Sequence, residues 1–184
     1  AVGDGQDTVD GGTGSDTLHI TGTGADNIFK VENLVAPTSS LEVTVDGQTS
    51  IVKAIEEIEI VGGGGADILF VSGDLNGTGL SQSTITFHGQ DGADRVDVSG
   101  RTSAHRVVVD GGEGHDTVVV AGNYVASEWA AIYANDGYTL RGATHTHQIA
   151  GKTVVDEYRD IETVQFADGS RPIEDVLGIF PPES

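Results

Sequence analysis

The feature that most constrains this chain is a glycine-rich stretch of nine residues, Gly111 to Val119 (GGEGHDTVV). Its pattern, GGxGxDxUx with U a large apolar residue, returns at Gly11 to His19 (GGTGSDTLH) and Gly62 to Phe70 (GGGGADILF). Looser copies stand at Val2 to Asp10, Thr21 to Phe29 and Gly89 to Asp97. Aligned, the copies place Asp7, Asp16, Asp26, Asp67, Asp94 and Asp116 at the sixth position, and Val9, Leu18, Ile28, Leu69, Val96 and Val118 at the eighth. Glycine fills the fourth position in every copy. Glycines let a short turn adopt positive φ and curl its carbonyls around a point, and the aspartate adds a hard anionic oxygen. The xUx that follows is rich in Val, Ile, Leu and Thr, which suits a short strand whose central residue enters a core. Turns stacked at roughly 4.8 Å bring carboxylates face to face, and a cation between them removes the repulsion. Calcium accepts carbonyl and carboxylate oxygens in flexible geometry and suits such a site.

These nonapeptides resemble the repeats of the RTX (repeats-in-toxin) family, the hemolysin-type calcium-binding repeats of type I secreted bacterial proteins. The resemblance implies an all-β fold: a parallel β-roll or β-solenoid with calcium-binding glycine-rich turns, hairpin excursions and a C-terminal cap with short helices. It implies Ca2+ as the bound cofactor, held by the six aspartates and by the turn positions Gly3, Gly5, Gly12, Gly14, Gly22, Gly24, Gly63, Gly65, Gly89, Asp91, Gly92, Gly111, Glu113 and Gly114. At the third position, Asp91 and Glu113 offer the backbone carbonyl rather than the side chain. Gln90 replaces the second glycine, and Val2 and Thr21 replace the first, so those copies either hold calcium less well or only continue the solenoid. The function implied is a calcium-dependent folding module of a large exported protein. It would pass the type I secretion machinery unfolded and fold outside the cell or at its surface, with no catalysis of its own.

Charge and composition agree with that expectation. Lys+Arg 9 against Asp+Glu 29 gives a formal charge of -20, which argues against nucleic acid and anionic membranes as partners and in favour of metal cations. Twenty-seven glycines with no cysteine and no methionine describe a thin-cored β structure, neither a helical bundle nor a disulfide scaffold. No apolar run approaches the ~20 residues of a membrane span, and no cleavable signal opens the chain. The chain starts inside a repeat, which reads as the C-terminal portion of a longer polypeptide.

The chain divides as one domain, 1–184, with short repeats over 1–30, an excursion and hairpin over 31–61, wider coils over 62–122 and a capping region over 123–184. Asp46-Gly47 marks a hairpin turn between Leu41 to Val45 and Ile51-Val52. Ala54 to Val61 alternates Ile58 and Ile60 with glutamates and is expected as a strand. The spacing of the remaining apolar runs predicts strands at Ile68 to Val71, Thr84 to Phe87, Arg95 to Val98, Arg106 to Val109 and Thr117 to Val120. Polar connections, Ser72 to Ser83 and Ser99 to His105, fall on the edge opposite the aspartate turns. Asp160 to Phe166 parallels Ala54 to Ile60, so that Glu162 matches Glu56. Trp129 and Tyr133 at i, i+4 predict a short helix within Val125 to Ala134, and Pro172 stands where another helix begins.

Asp74 to Gly79 imitates an EF-hand start but has Ile85 where the bidentate glutamate belongs. No Gly-Lys-Ser/Thr follows the glycine runs, which removes a phosphate loop. Thr13 and Thr23 are too few for an ice-binding array. His145-Thr-His147, with Asp136, Tyr138 and Arg141 nearby, is the one catalytic candidate, since on a strand both rings face one way; a solvent-exposed loop is the expected setting. The alternative functions are a polysaccharide-binding or polysaccharide-active solenoid, with glycans as partners, or a rod segment of a surface adhesin.

Overall fold

Alternating apolar residues with short polar or glycine breaks give sixteen strands and one short α-helix among the described residues. The computed structural model describes residues 7–33, 41–78, 80, 84–137 and 139–179. Gly3 and Gly5 of the first repeat, residues 34–40 of the first excursion, Tyr138 and the segment 180–184 lie outside the described residues. The strands are β1 (Asp7–Asp10), β2 (Thr17–Thr21), β3 (Ile28–Asn33), β4 (Leu41–Val45), β5 (Gln48–Lys53), β6 (Glu57–Gly64), β7 (Ile68–Ser72) and β8 (Thr84–Gly92). They continue as β9 (Arg95–Asp97), β10 (Arg106–Gly114), β11 (Thr117–Val119), β12 (Trp129–Tyr133), β13 (Leu140–Ile149), β14 (Lys152–Arg159), β15 (Thr163–Phe166) and β16 (Gly169–Pro172), followed by helix α1 (Ile173–Leu177).

The fold is all-β, in two sheets. The nine-stranded sheet runs β1-β5-β4-β3-β7-β9-β11-β15-β16 and the seven-stranded sheet β12-β13-β14-β10-β8-β6-β2. Within the first, β3, β7, β9, β11 and β15 pair parallel in turn. Within the second, β2, β6, β8, β10 and β14 do the same. Successive strands therefore alternate between the sheets, and each strand lies beside its counterpart one circuit later. The period-two burial of these strands turns Ile58, Ile60, Ile85, Phe87, Val107 and Val109 from one sheet toward Leu69, Val71, Val96, Val118 and Val164 from the other, all buried in one core.

Two insertions interrupt the alternation. β4 and β5 form the expected hairpin, turned by Asp46 and Gly47 at positive φ (49° and 83°) as a two-residue turn requires. The second insertion corrects the helix expected within Val125 to Ala134. Only Ala126–Glu128 makes a 3-10 turn, and Trp129–Tyr133 is strand β12, antiparallel to β13. Pairing along β13 overrides helix propensity here, because it satisfies the backbone and sets Trp129 into the core. β13 also corrects the setting of His145 and His147: they lie on a strand, with His145 3% exposed, rather than on an open loop. Pro172 does precede a helix, α1, which ends on Gly178. The connection after β7 is polar in composition, yet Leu75 and Leu80 turn into the core.

Candidate metal centre

Glycine turns carry the chain from the seven-stranded sheet to the nine-stranded one at 22–27, 62–67, 89–94 and 111–116, all at one edge. The turn at 11–16 runs the opposite way, from β1 to β2, and so sits at the other edge. Parallel pairing continues into the turns themselves, with Gly112 beside Gln90, Glu113 beside Asp91 and Gly114 beside Gly92. The backbones are so close that a Cβ at Gly114 would overlap the Gly92 carbonyl oxygen, and one at Gly92 the Gly65 carbonyl oxygen. That contact is why glycine is needed at the fourth position. At the second, Gln90 takes φ 76°, a conformation natural to glycine.

The sixth-position carboxylates form a ladder along this edge. The Asn27 N–H donates to Oδ1 of Asp67, the Asp67 N–H to Oδ1 of Asp94 and the Asp94 N–H to Oδ1 of Asp116, each at 2.7 Å. The Asp116 N–H donates at 2.6 Å to Oε2 of Glu162, which closes the ladder. At the other edge the Asp16 N–H donates to Oε2 of Glu56 at 2.8 Å, so the two glutamates matched in the sequence do the same work. Asp67, Asp94 and Asp116 thus each use one oxygen on a neighbour's backbone. Oδ2 of Asp16, Asp67, Asp94 and Asp116 is buried and finds no hydrogen-bond partner among the described residues.

Those second oxygens lie among further acceptors. Asp94 Oδ2 and the Gly111 carbonyl oxygen both fill the space a Cβ on Gly89 would take, and Asp116 Oδ2 and the Asp160 carbonyl oxygen the space of one on Gly111. Burial pushes the Asp67 and Asp94 carboxyls above the usual carboxylate range and that of Asp116 up to about 6, with neighbouring carboxylates adding to the rise. Buried anionic oxygens beside carbonyls, free of sulfur and imidazole, are the donor set that a hard cation such as calcium accepts.

The remaining expected ligands are placed as follows. Asp26 is exposed and its Oδ1 accepts the Ala66 N–H, while Asn27, 3% exposed, holds the ladder position. The third copy is therefore displaced by one residue: Phe29 pairs with Leu69, and Gly22 takes the place of Gly62. Asn27 is a neutral amide whose Nδ2 donates to Asp46 Oδ2 at 2.8 Å, so this end of the ladder is satisfied by side chains. Gly24 lies beside Gly64, and Gly63 and Gly65 against Thr23 and Ala25. Gly12 and Gly14 belong to the turn at the other edge. Asp7 is exposed on β1, and the Asp91 and Glu113 side chains are exposed at the third positions. Asp46, Glu56 and Glu162 are the ladder members that repeat counting missed; the match between Glu56 and Glu162 was the available signal. Compared with family models, curated proteins and solved structures, the chain finds no match.

Proposed function

We propose that this chain is a parallel β-roll that binds calcium between its glycine-rich turns and folds as it does so. It serves as the calcium-dependent folding module of a bacterial protein exported by a type I channel and working outside the cell. The observation that carries the reading is the row of buried Oδ2 atoms on Asp67, Asp94 and Asp116 that find no hydrogen-bond partner among the described residues. The alternation of strands between two parallel-cored sheets supports the roll architecture, since it stacks equivalent turns at one edge. The formal charge of -20 supports cations as the partner.

The residues divide the work. Glycines at the fourth position let adjacent turns touch, and the Oδ1 ladder fixes the carboxylates one above another. That arrangement sets each Oδ2 beside a backbone carbonyl of the next turn, Gly89 for Asp67, Gly111 for Asp94 and Asp160 for Asp116. Glu162 and the Asn27–Asp46 pair end the row, so ligation centres on Asp67, Asp94 and Asp116, with Asp16 as a separate position at the other edge. Calcium, when bound, supplies the positive charge these oxygens lack, and because the set exists only in stacked turns its binding free energy becomes folding free energy.

Circular dichroism during a calcium titration, followed by EGTA, tests the reading. We expect strand signal to rise with calcium, to fall on chelation and to respond little to magnesium, which demands a near-ideal octahedral site. Equal strand content in calcium and in EGTA would overturn it.

A further inference from the structure

A second group of ligand atoms lies away from the glycine turns, where the β12–β13 insertion meets the body of the sheets. β13 and β14 pair antiparallel with His145 opposite Asp156, and His147, two residues on, faces the same way. One ligand atom from each of His145, His147 and Asp156 lies within 4.8 Å of the other two. His147 Nε2 is 2.9 Å from Asp156 Oδ2, and His145 Nε2 is 3.4 Å from Oε2 of Glu128. The two imidazoles are stacked, ring centroids 4.3 Å apart, and Trp129 stacks on the other face of His145, also at 4.3 Å. His145, His147 and Glu128 line a cleft of ≈ 650 Å³ that opens to solvent, with Arg101 at its base.

We propose that this cleft holds a borderline transition-metal ion of the zinc class, with His145, His147 and Asp156 as ligands and Glu128, beside His145, completing the set. Two imidazoles with carboxylates are zinc-type donors, unlike the all-oxygen turns. His145 is almost wholly buried, and its Nδ1 finds no partner among the described residues. The separations of 2.9 and 3.4 Å are those of neighbouring ligands on one ion, because metal–ligand bonds of about 2.0–2.2 Å subtend such edges. Bonds of that length span at most about 4.2 Å between ligands, so binding draws the ring edges together.

Arg101 sets the charge balance. Its buried guanidinium pairs with both oxygens of Asp156 and lies 3.3 Å from His147 Nε2. Asp156 also accepts the Val107 N–H at 2.8 Å and is held below the usual carboxylate range, His147 and Arg101 outweighing its burial. With that charge already matched, Glu128 at the cleft wall is the carboxylate free to compensate the ion. A bound ion would tie β12, β13 and β14 together and leave its remaining coordination positions facing the cleft.

Trp129 is the chain's one tryptophan, so its fluorescence reports on His145 directly. The experiment titrates Zn2+ and the quenching ions Co2+ and Ni2+ into the full chain in saturating calcium, with circular dichroism confirming the fold. We expect saturable Co2+ and Ni2+ quenching, competition by Zn2+, and a visible Co2+ d–d band. The affinity should fall at least tenfold in His147→Gln and Glu128→Gln and be unchanged in His88→Gln, a half-buried histidine beside Glu59 and Asp110, away from the cleft. Quenching that persists in both cleft variants, that disappears in His88→Gln, or that calcium abolishes would overturn the proposal. So would the absence of saturation in a folded chain.

Discussion

Asp94→Asn separates the two tasks of a ladder aspartate. Asp94 Oδ1 accepts the Asp67 N–H at 2.7 Å, an interaction an asparagine Oδ1 keeps, while its Oδ2 is buried without a partner. Replacing that oxygen by an amide removes a buried charge and supplies donors beside the Gly111 carbonyl. Asn27 shows that a neutral amide fits at the sixth position, its Oδ1 accepting the Thr23 N–H and its Nδ2 donating to Asp46 Oδ2. Truncation to alanine instead leaves the buried Asp67 N–H unsatisfied, which costs about 1–3 kcal/mol. In EGTA the asparagine variant should therefore be more stable than wild type, by on the order of 1 kcal/mol, while Asp94→Ala should not be. In calcium the order reverses, because the variant has lost an anionic ligand, and the calcium concentration needed for folding should rise. Urea unfolding of the three proteins in EGTA and in calcium reads both effects. The reasoning is refuted if Asp94→Asn destabilises the metal-free chain as much as alanine does, or responds to calcium as wild type does.

Other perturbations probe the turns and their titration. Gly114→Ala should cost several kcal/mol or prevent folding, because its Cβ would overlap the Gly92 carbonyl at a φ of 149°; calcium-dependent circular dichroism reads the loss. Gln90→Gly should raise the urea midpoint, by up to about 1 kcal/mol, since φ 76° strains a residue with a Cβ. Asp116 binds its proton more tightly folded, at about 6, than at the ordinary 3.8, so its contribution is full below the lower value and lost as pH rises through the upper one. In EGTA stability should fall between about pH 4 and pH 6, and Asp116→Asn should reduce that slope in urea midpoints, leaving the part due to Asp67 and Asp94. His145 acts oppositely: its pKa is lowered to about 4, so its stabilising effect, full above 6.5, is lost as pH falls, and His145→Gln should flatten the acid limb.

Much of the edge formed by the glycine turns was legible because the glycine pattern encodes local geometry: Asp67, Asp94 and Asp116 stack as their spacing implies, and Glu56 and Glu162 fill matching positions. The third copy slipped by one residue because Ala25-Asp26-Asn27 offers two polar candidates, and Thr21 in place of the first glycine was the cue that the frame begins at Gly22. The strand at Trp129 was hidden for a different reason. Helical and strand spacings coexist over five residues, and pairing with β13 decides between them. The polar cluster at His145 depends on Arg101 and Asp156, which meet across a separation of 55 residues, so no local pattern announces it.

The most direct test of the central claim is a crystal structure grown in abundant calcium, with anomalous scattering recorded to locate the ions. The account expects ion density in the stack formed by residues 62–67, 89–94 and 111–116, within bonding distance of Oδ2 of Asp67, Asp94 and Asp116. Well-ordered turns without such density, their second oxygens paired to water or to protein donors, would contradict it.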